Sequence, residues 1–356
     1  MTKRVIQSVL SISVVALMIS AAHAVESKEN SSENVSSEPK SKLETIVITA
    51  SGYEQDISKA PASMTVISRE ELDKREYSDI TDVLRNTPGV VVSGSGSAQS
   101  ISIRGMSSNY TLFLIDGKRQ YSKDVNPNGD DNGFEKNILP PMAAIERIEI
   151  IRGPASTLYG SEAMGGVINI ITKKVSDEWS GTAELGTVIQ DKGDAGDLKN
   201  ASVYIAGPLI PNKLGLQLGV SKQEREEDSF VGGFRGNERE SLNSRLTYML
   251  NDQHDLQFDA NFTTQDAKST VGKTVEAVAN ATDSNSRNYR SVYALTHNGR
   301  YSDQLDSATY LQYENSKNPD RANTTLYTKG IELETWTFNN RWNWLLNKHK
   351  SSFGAY

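Results

Sequence analysis

From about Glu178 to Tyr356 the chain repeats one pattern, in which apolar side chains recur at every second position over segments of roughly ten residues. Leu214, Leu216, Leu218 and Val220 alternate without a break, as do Leu256, Phe258, Ala260 and Phe262. Leu242, Leu246, Tyr248 and Leu250 share one parity, with Ser244 among them. A period of two places such residues on one face of a β-strand. The later segments (292–295, 305–313 and 331–338) are richer in aromatics and less regular. Some connections are short, as at Asn251-Asp252, and others are long and polar, as in EREEDSFVGGFRGNERE. Long strands, connections that alternate in length, and Trp and Tyr near strand ends predict a transmembrane β-barrel; a soluble β-sandwich is the alternative. About nine strands can be counted on this pattern.

Between about Lys59 and Lys174 the pattern changes to short helices mixed with short strands. Ser68 followed by Glu71 is a capping box that opens a helix. Ser78 is the expected N-cap of a second helix, closed by Pro88-Gly89. The runs ASMTVI, GVVV, SISIRG, YTLFLIDG, IERIEII and GVINIITK read as strands, and Asp116-Gly117 as a tight turn. These elements predict a compact α+β unit. Upstream of it, Lys3 and Arg4, the apolar run VLSISVVALMIS and Ala22-His23-Ala24 form a secretory signal over residues 1–24. Residues 25–42 are almost all Ser, Glu, Lys and Asn, a composition that predicts a disordered tether. It leads into LETIVITASG (43–52), a β-forming run with no neighbour to pack against.

Composition excludes several chemistries. A net charge of −7 argues against a nucleic-acid binder, and the absence of cysteine rules out disulfides and thiolate metal sites. His23, His254, His297 and His349 are too scattered in sequence for a histidine metal cluster, and no Ser/His/Asp set can be assembled, so no catalytic residues are expected. Gly94-Ser95-Gly96 lacks the third glycine and the following helix of a dinucleotide loop, and reads as a turn. NPNGDDNGFE (126–135) does not have EF-hand spacing and reads as a solvated loop.

The stretch AIERIEIIRGPASTLYGSEAMGGVINIITKK (144–174) resembles the plug-domain signature of TonB-dependent outer-membrane receptors. SISIRG (100–105) and LFLIDGKR (112–119) match the same family in order, and Glu44–Ala50 (ETIVITA) resembles its TonB box. Within the family, IDGKRQ and ILPPMAAIERIEIIRGP look most like the colicin I receptor and other catecholate-siderophore receptors. The resemblance implies an α+β plug (53–175) followed by antiparallel strands of the N-terminal part of a β-barrel (176–356), an incomplete barrel. It implies energy-coupled uptake of a ferric siderophore across the outer membrane, with TonB, the siderophore, outer-membrane lipid and a colicin as partners, and no cofactor or direct protein ligand to iron. A passive porin-like channel and a soluble periplasmic β-rich module are the alternatives.

Residue by residue, the resemblance assigns TonB pairing to Glu44, Thr45, Ile46, Val47, Ile48, Thr49 and Ala50, as a strand added to TonB's own sheet. It assigns Arg104 and Arg152 to ion pairs with barrel glutamates. Lys118, Arg119, Gln120 and Tyr121 are the candidates for contact with an anionic iron chelate, for which a cation and aromatic faces are suited. About nine strands would enclose too narrow a lumen for such a plug, so an open, curved sheet with unpaired edges is expected.

Overall fold

The computed structural model describes residues 46–47, 55–56, 63–75, 77, 80–95, 98–121, 139–155, 159–175, 177–191, 193–319, 330–346 and 349–355. The signal sequence, the tether, the Ser78 cap and the 126–135 loop expected from sequence lie outside them. So do Glu44, Thr45 and Ile48–Ala50.

The first part is built around a five-stranded mixed sheet. Its strands are β3 (Ser63–Ser68), β6 (Thr111–Ile115), β7 (Lys118–Arg119), β8 (Ile145–Arg152) and β9 (Gly166–Thr172), in the order β3-β8-β9-β6-β7. Before it in sequence, β1 (Ile46–Val47) pairs antiparallel with β2 (Gln55–Asp56). A separate hairpin joins β4 (Val90–Ser95) to β5 (Ala98–Ile103), which places Gly94 and Ser95 in strand rather than in a nucleotide loop. Helix α1 (Arg69–Asp73) opens with the expected capping box between Ser68 and Glu71, and α2 (Ile80–Arg85) follows. Gly89, with φ of 79°, turns the chain out of α2 into β4.

Strand β9 reads as a nearly continuous apolar run because both of its faces are covered. One face packs Ile148, Ile150, Ile168 and Ile170 against Leu72, Val83, Leu84 and Phe113. The other packs Ile151 and Val167 against Leu112, Leu114, Tyr159 and Ala163. Burying a side chain of this size contributes about 1.5–3 kcal/mol, so the plug sheet has a dry core on each side.

The second part is a single antiparallel sheet in strict sequence order. It comprises β10 (Ser180–Val188), β11 (Leu198–Ile210), β12 (Leu214–Arg225), β13 (Gly236–Asn251), β14 (His254–Ser269), β15 (Ser284–Ser302), β16 (Leu305–Asn318), β17 (Ile331–Leu346) and β18 (His349–Ala355). Nine strands are present, as the alternation predicts, and among the described residues β10 and β18 do not pair with each other. The β11–β12, β13–β14 and β15–β16 connections are short turns at 211–213, 252–253 and 303–304. The β12–β13 and β14–β15 connections are loops at 226–235 and 270–283.

Burial in this wall is inverted. Leu311 is 45% exposed beside Gln312 at 1%, and Phe338 is 54% exposed beside Asn339 at 7%. The same alternation sets Phe258 against Asp259 and Leu295 against Thr296. A soluble sandwich buries the apolar parity; a membrane wall turns it outward to lipid. No helix among the described residues is long and apolar enough to cross a membrane.

Candidate functional site: the seam between plug and wall

The hairpin that closes at Asp116-Gly117 positions the site. Both residues have positive φ, 50° and 76°, as a two-residue type I′ turn requires; Asp tolerates that conformation and Gly adopts it freely. The Gly117 amide donates to Asn169 Oδ1 (3.1 Å), and Asn169 in turn donates to the fully buried Glu149 (3.4 Å), which pairs with Arg147 (2.8 Å). The turn thus projects its carboxylate out of the plug from a fixed support.

Asp116 accepts from the Thr172 amide (2.8 Å), the Thr172 hydroxyl (2.8 Å) and Arg245 Nη2 of the wall (2.5 Å). Arg245 also donates to the Thr172 hydroxyl (2.9 Å) and, through Nε, to Asp259 (2.6 Å). The other oxygen of Asp259 accepts from Lys118 Nζ at 2.6 Å. Two plug charges and two wall charges therefore alternate in sign. Burial opposes ionisation of Asp116, but Arg245, Lys118 and the Thr172 amide outweigh it and hold the carboxyl at about 2, against an ordinary 3.8. Charges this buried are stable only in such fully paired groups.

The next residues continue the seam. Gln120 donates to the Lys118 carbonyl (2.8 Å) and accepts from Arg290, which is paired with Glu314 (2.9 Å). Glu314 accepts from the Tyr121 amide (3.1 Å), and Gln312 donates to the Arg119 carbonyl (2.7 Å). Farther along, Gln217 of β12 donates to the Lys173 carbonyl and to Tyr204 (3.2 Å). A cavity of about 60 Å³ lies between Lys118, Gln120, Arg245, Asp259 and Arg290, large enough for a few waters among polar partners.

This geometry corrects several expectations. Lys118 and Gln120, expected to face ligand, are 5% and 4% exposed and grip the wall. Strand alternation is the reason: those two side chains share one face, while Arg119 and Tyr121 take the other. Arg119 donates to the Tyr159 carbonyl and stacks its guanidinium on Tyr121 (5.5 Å to the ring centroid). Arg152, expected to reach a barrel glutamate, donates to the carbonyls of Pro88 (2.6 Å) and Met64 (3.2 Å) and to the Thr65 hydroxyl (2.7 Å), all in the plug. Arg104 has φ of 53° and lays its guanidinium beside Gly153 of the plug. Among the described residues neither arginine forms an ion pair with the wall. Ile46 and Val47, expected to lack a partner strand, pair with Asp56 and Gln55.

Arg245, Asp259, Arg290 and Glu314 were not singled out by sequence. Their signal was present: each is a charge at the polar parity of an otherwise apolar-alternating membrane strand, and such charges face the lumen and need partners there.

Residues 56–167 match the model of the TonB-dependent Receptor Plug Domain family. The chain is 49% identical over 281 residues to the iron-regulated outer membrane virulence protein of Vibrio cholerae, covering 78% of this chain and 43% of that protein. It is 34% identical over 348 residues to the probable TonB-dependent siderophore receptor PirA of Acinetobacter baumannii, covering 89% of this chain and 45% of that protein. The chain carries the plug domain of the TonB-dependent receptors. In structure it resembles a mutant of the ferric enterobactin receptor PfeA of Pseudomonas aeruginosa, with TM-score 0.69 and 25% identity, covering 83% of this chain and 48% of that one. The chain thus spans less than half the length of the curated relatives it matches. The plug sits against the buried polar face of the wall, and the seam is the surface that joins them.

Proposed function

We propose that this protein takes up a ferric siderophore of the catecholate class across the outer membrane, driven by TonB acting on residues 44–50. The observation that carries this reading is the pairing of an inverted, lipid-facing wall with a separately cored plug held to it by paired charges and hydrogen bonds. The apolar contact between the two is small, Ala143 and Ala144 against Tyr204 and Ala206, and a hydrated polar seam can be broken and remade. Arg119 and Tyr121 offer a cation and an aromatic face to an anionic chelate. The siderophore fills the coordination shell of its iron, so no protein ligand to the metal and no cofactor is invoked. A colicin and the lipid around the wall complete the proposed partners.

TonB recruitment by strand addition requires a free edge of Ile46–Val47; Gln55–Asp56 engages one edge, and among the described residues no strand pairs with the other. The test is iron-limited growth and radiolabelled-iron uptake in cells lacking other siderophore receptors, with catecholate, hydroxamate and carboxylate siderophores supplied separately. Uptake of catecholates alone, abolished by loss of TonB, is the expected result. Uptake that persists without TonB would instead indicate a passive channel, and a preference for another siderophore class would refute the catecholate assignment.

A further inference from the structure

His254 and His297, 43 positions apart and unremarkable in sequence, meet on the outside of the wall. His254 Nδ1 lies 3.1 Å from His297 Nε2, and the two ring planes are within 10° of each other with centroids 5.3 Å apart. Stacked faces approach to about 3.5 Å at closest. A nitrogen–nitrogen distance shorter than that, between parallel rings, means that the rings meet edge to edge through an N–H···N hydrogen bond.

The pair is built into the strands around it. His254 stands opposite Gly299 in register, and a Cβ on Gly299 would lie 2.9 Å from His254 Nδ1, so the ring occupies space that only glycine leaves. Tyr301 meets His254 edge-on (5.1 Å) and stacks on Trp342 (5.1 Å). His297 stands opposite Thr309, which stands opposite Asn340, and Asn340 donates to the Thr309 hydroxyl (2.8 Å). These residues share the outward parity of Phe258, Leu295, Leu311 and Phe338. A row of polar groups therefore crosses β14–β17 on the face that otherwise meets lipid.

Polar side chains on that face are unfavourable in hydrocarbon and become favourable at headgroup level, where Tyr and Trp also concentrate. The row lies toward the short turns: His254 begins β14 directly after the 252–253 turn, and Tyr301 precedes the 303–304 turn. In outer-membrane barrels the short turns are periplasmic. Whichever tautomer is adopted, a hydrogen-bonded imidazole pair presents a further N–H outward, and two when it takes up a proton.

We propose that His254 and His297 bind the phosphate of a phospholipid in the periplasmic-side leaflet, with its acyl chains along Leu295, Leu311 and Phe338. The inference rests on the outer-membrane reading of the wall. The receptor, isolated from outer membranes in mild detergent, is examined by native mass spectrometry with added phosphatidylglycerol, with diacylglycerol as a phosphate-free control and with inorganic phosphate as competitor. Wild type is expected to retain phosphatidylglycerol at least tenfold better than diacylglycerol, without displacement by inorganic phosphate. The double variant His254→Phe/His297→Phe keeps the rings but loses the nitrogens and is expected to lose at least tenfold in retention. Gly299→Ala, which displaces the His254 ring, is expected to do the same in a barrel of unchanged heat-modifiable mobility, and it carries the test if the double variant fails to fold. Equal retention by the variants, equal binding of diacylglycerol, or displacement by inorganic phosphate would overturn the lipid site. Absence of the protein from the outer membrane would overturn the reading beneath it, whereas normal uptake without lipid selectivity would sink this inference alone.

Discussion

Ile150 and Gln312 are almost equally buried, at 0% and 1% exposed. Ile150 lies opposite Ile168 in a dry apolar core, while Gln312 donates to the Arg119 carbonyl across the plug–wall seam. The plug holds itself together with methyl groups and meets the wall mainly with charges and amides, beside one small apolar contact of Ala143 and Ala144 with Tyr204 and Ala206. Apolar burial is non-directional and hard to release in parts, whereas a polar seam can exchange its bonds for water one group at a time. A plug that must stay folded while its contact with the wall is broken needs both kinds of burial, kept apart.

The contrast can be broken most severely at Arg245. Arg245→Met leaves Asp116 and Asp259 buried without their shared cation, and loss of one partner of a buried pair costs about 3–5 kcal/mol. Denaturant titration should show the plug releasing earlier while the wall transition is retained; a single unshifted transition would rule this out. On the other face of the wall, Leu311→Arg should cost about 2–4 kcal/mol of barrel stability near the bilayer midplane. If heat-modifiable folding of that variant matches wild type, the outward assignment of this parity is wrong.

Within the plug, Gly166→Ala would set a Cβ 2.3 Å from the Ile151 carbonyl oxygen and 2.7 Å from Ile103 Cδ1. Overpacking of this kind costs about 1–3 kcal/mol and should lower the plug's melting temperature while leaving the wall unaffected; an unchanged melting point would show that the β8–β9 ladder yields more than a dry core should.

The pH response of the seam is the mildest of these effects. The folded-state pKa of Asp116 lies below its ordinary 3.8, at about 2. Its contribution, about 2 kcal/mol, is therefore fully present above pH 4 and is lost as pH falls from about 4 toward 2. Asp116→Asn should flatten that part of a stability-against-pH curve, and an unchanged acid limb would assign it to other groups.

Much of the fold was legible because it rests on local signals. The period-two alternation marked the wall strands, the Ser68–Glu71 box marked α1, and Asp116-Gly117 marked the tight turn. The seam was less legible because its partners lie far apart in sequence: Lys118 meets Asp259 and Gln120 meets Arg290 only when the wall closes on the plug. Reading Lys118 to Tyr121 as one ligand loop overlooked that successive residues of an extended segment face opposite ways. The pairing of His254 with His297 was hidden for the same reason, since it depends on the register of β14 with β15 and on the space above Gly299.

Amide hydrogen exchange in the plug, compared between wild type and Arg245→Met, bears most directly on the seam. The Thr172 and Gly117 amides are held by Asp116 and Asn169 at the seam, whereas those of Ile150 and Ile168 lie in the plug's own ladder. With Arg245 removed, Thr172 and Gly117 should exchange at least about tenfold faster while Ile150 and Ile168 keep their protection. Unchanged exchange at Thr172 and Gly117, or an equal loss of protection at Ile150 and Ile168, would contradict a plug that is cored by itself and fastened to the wall through Arg245.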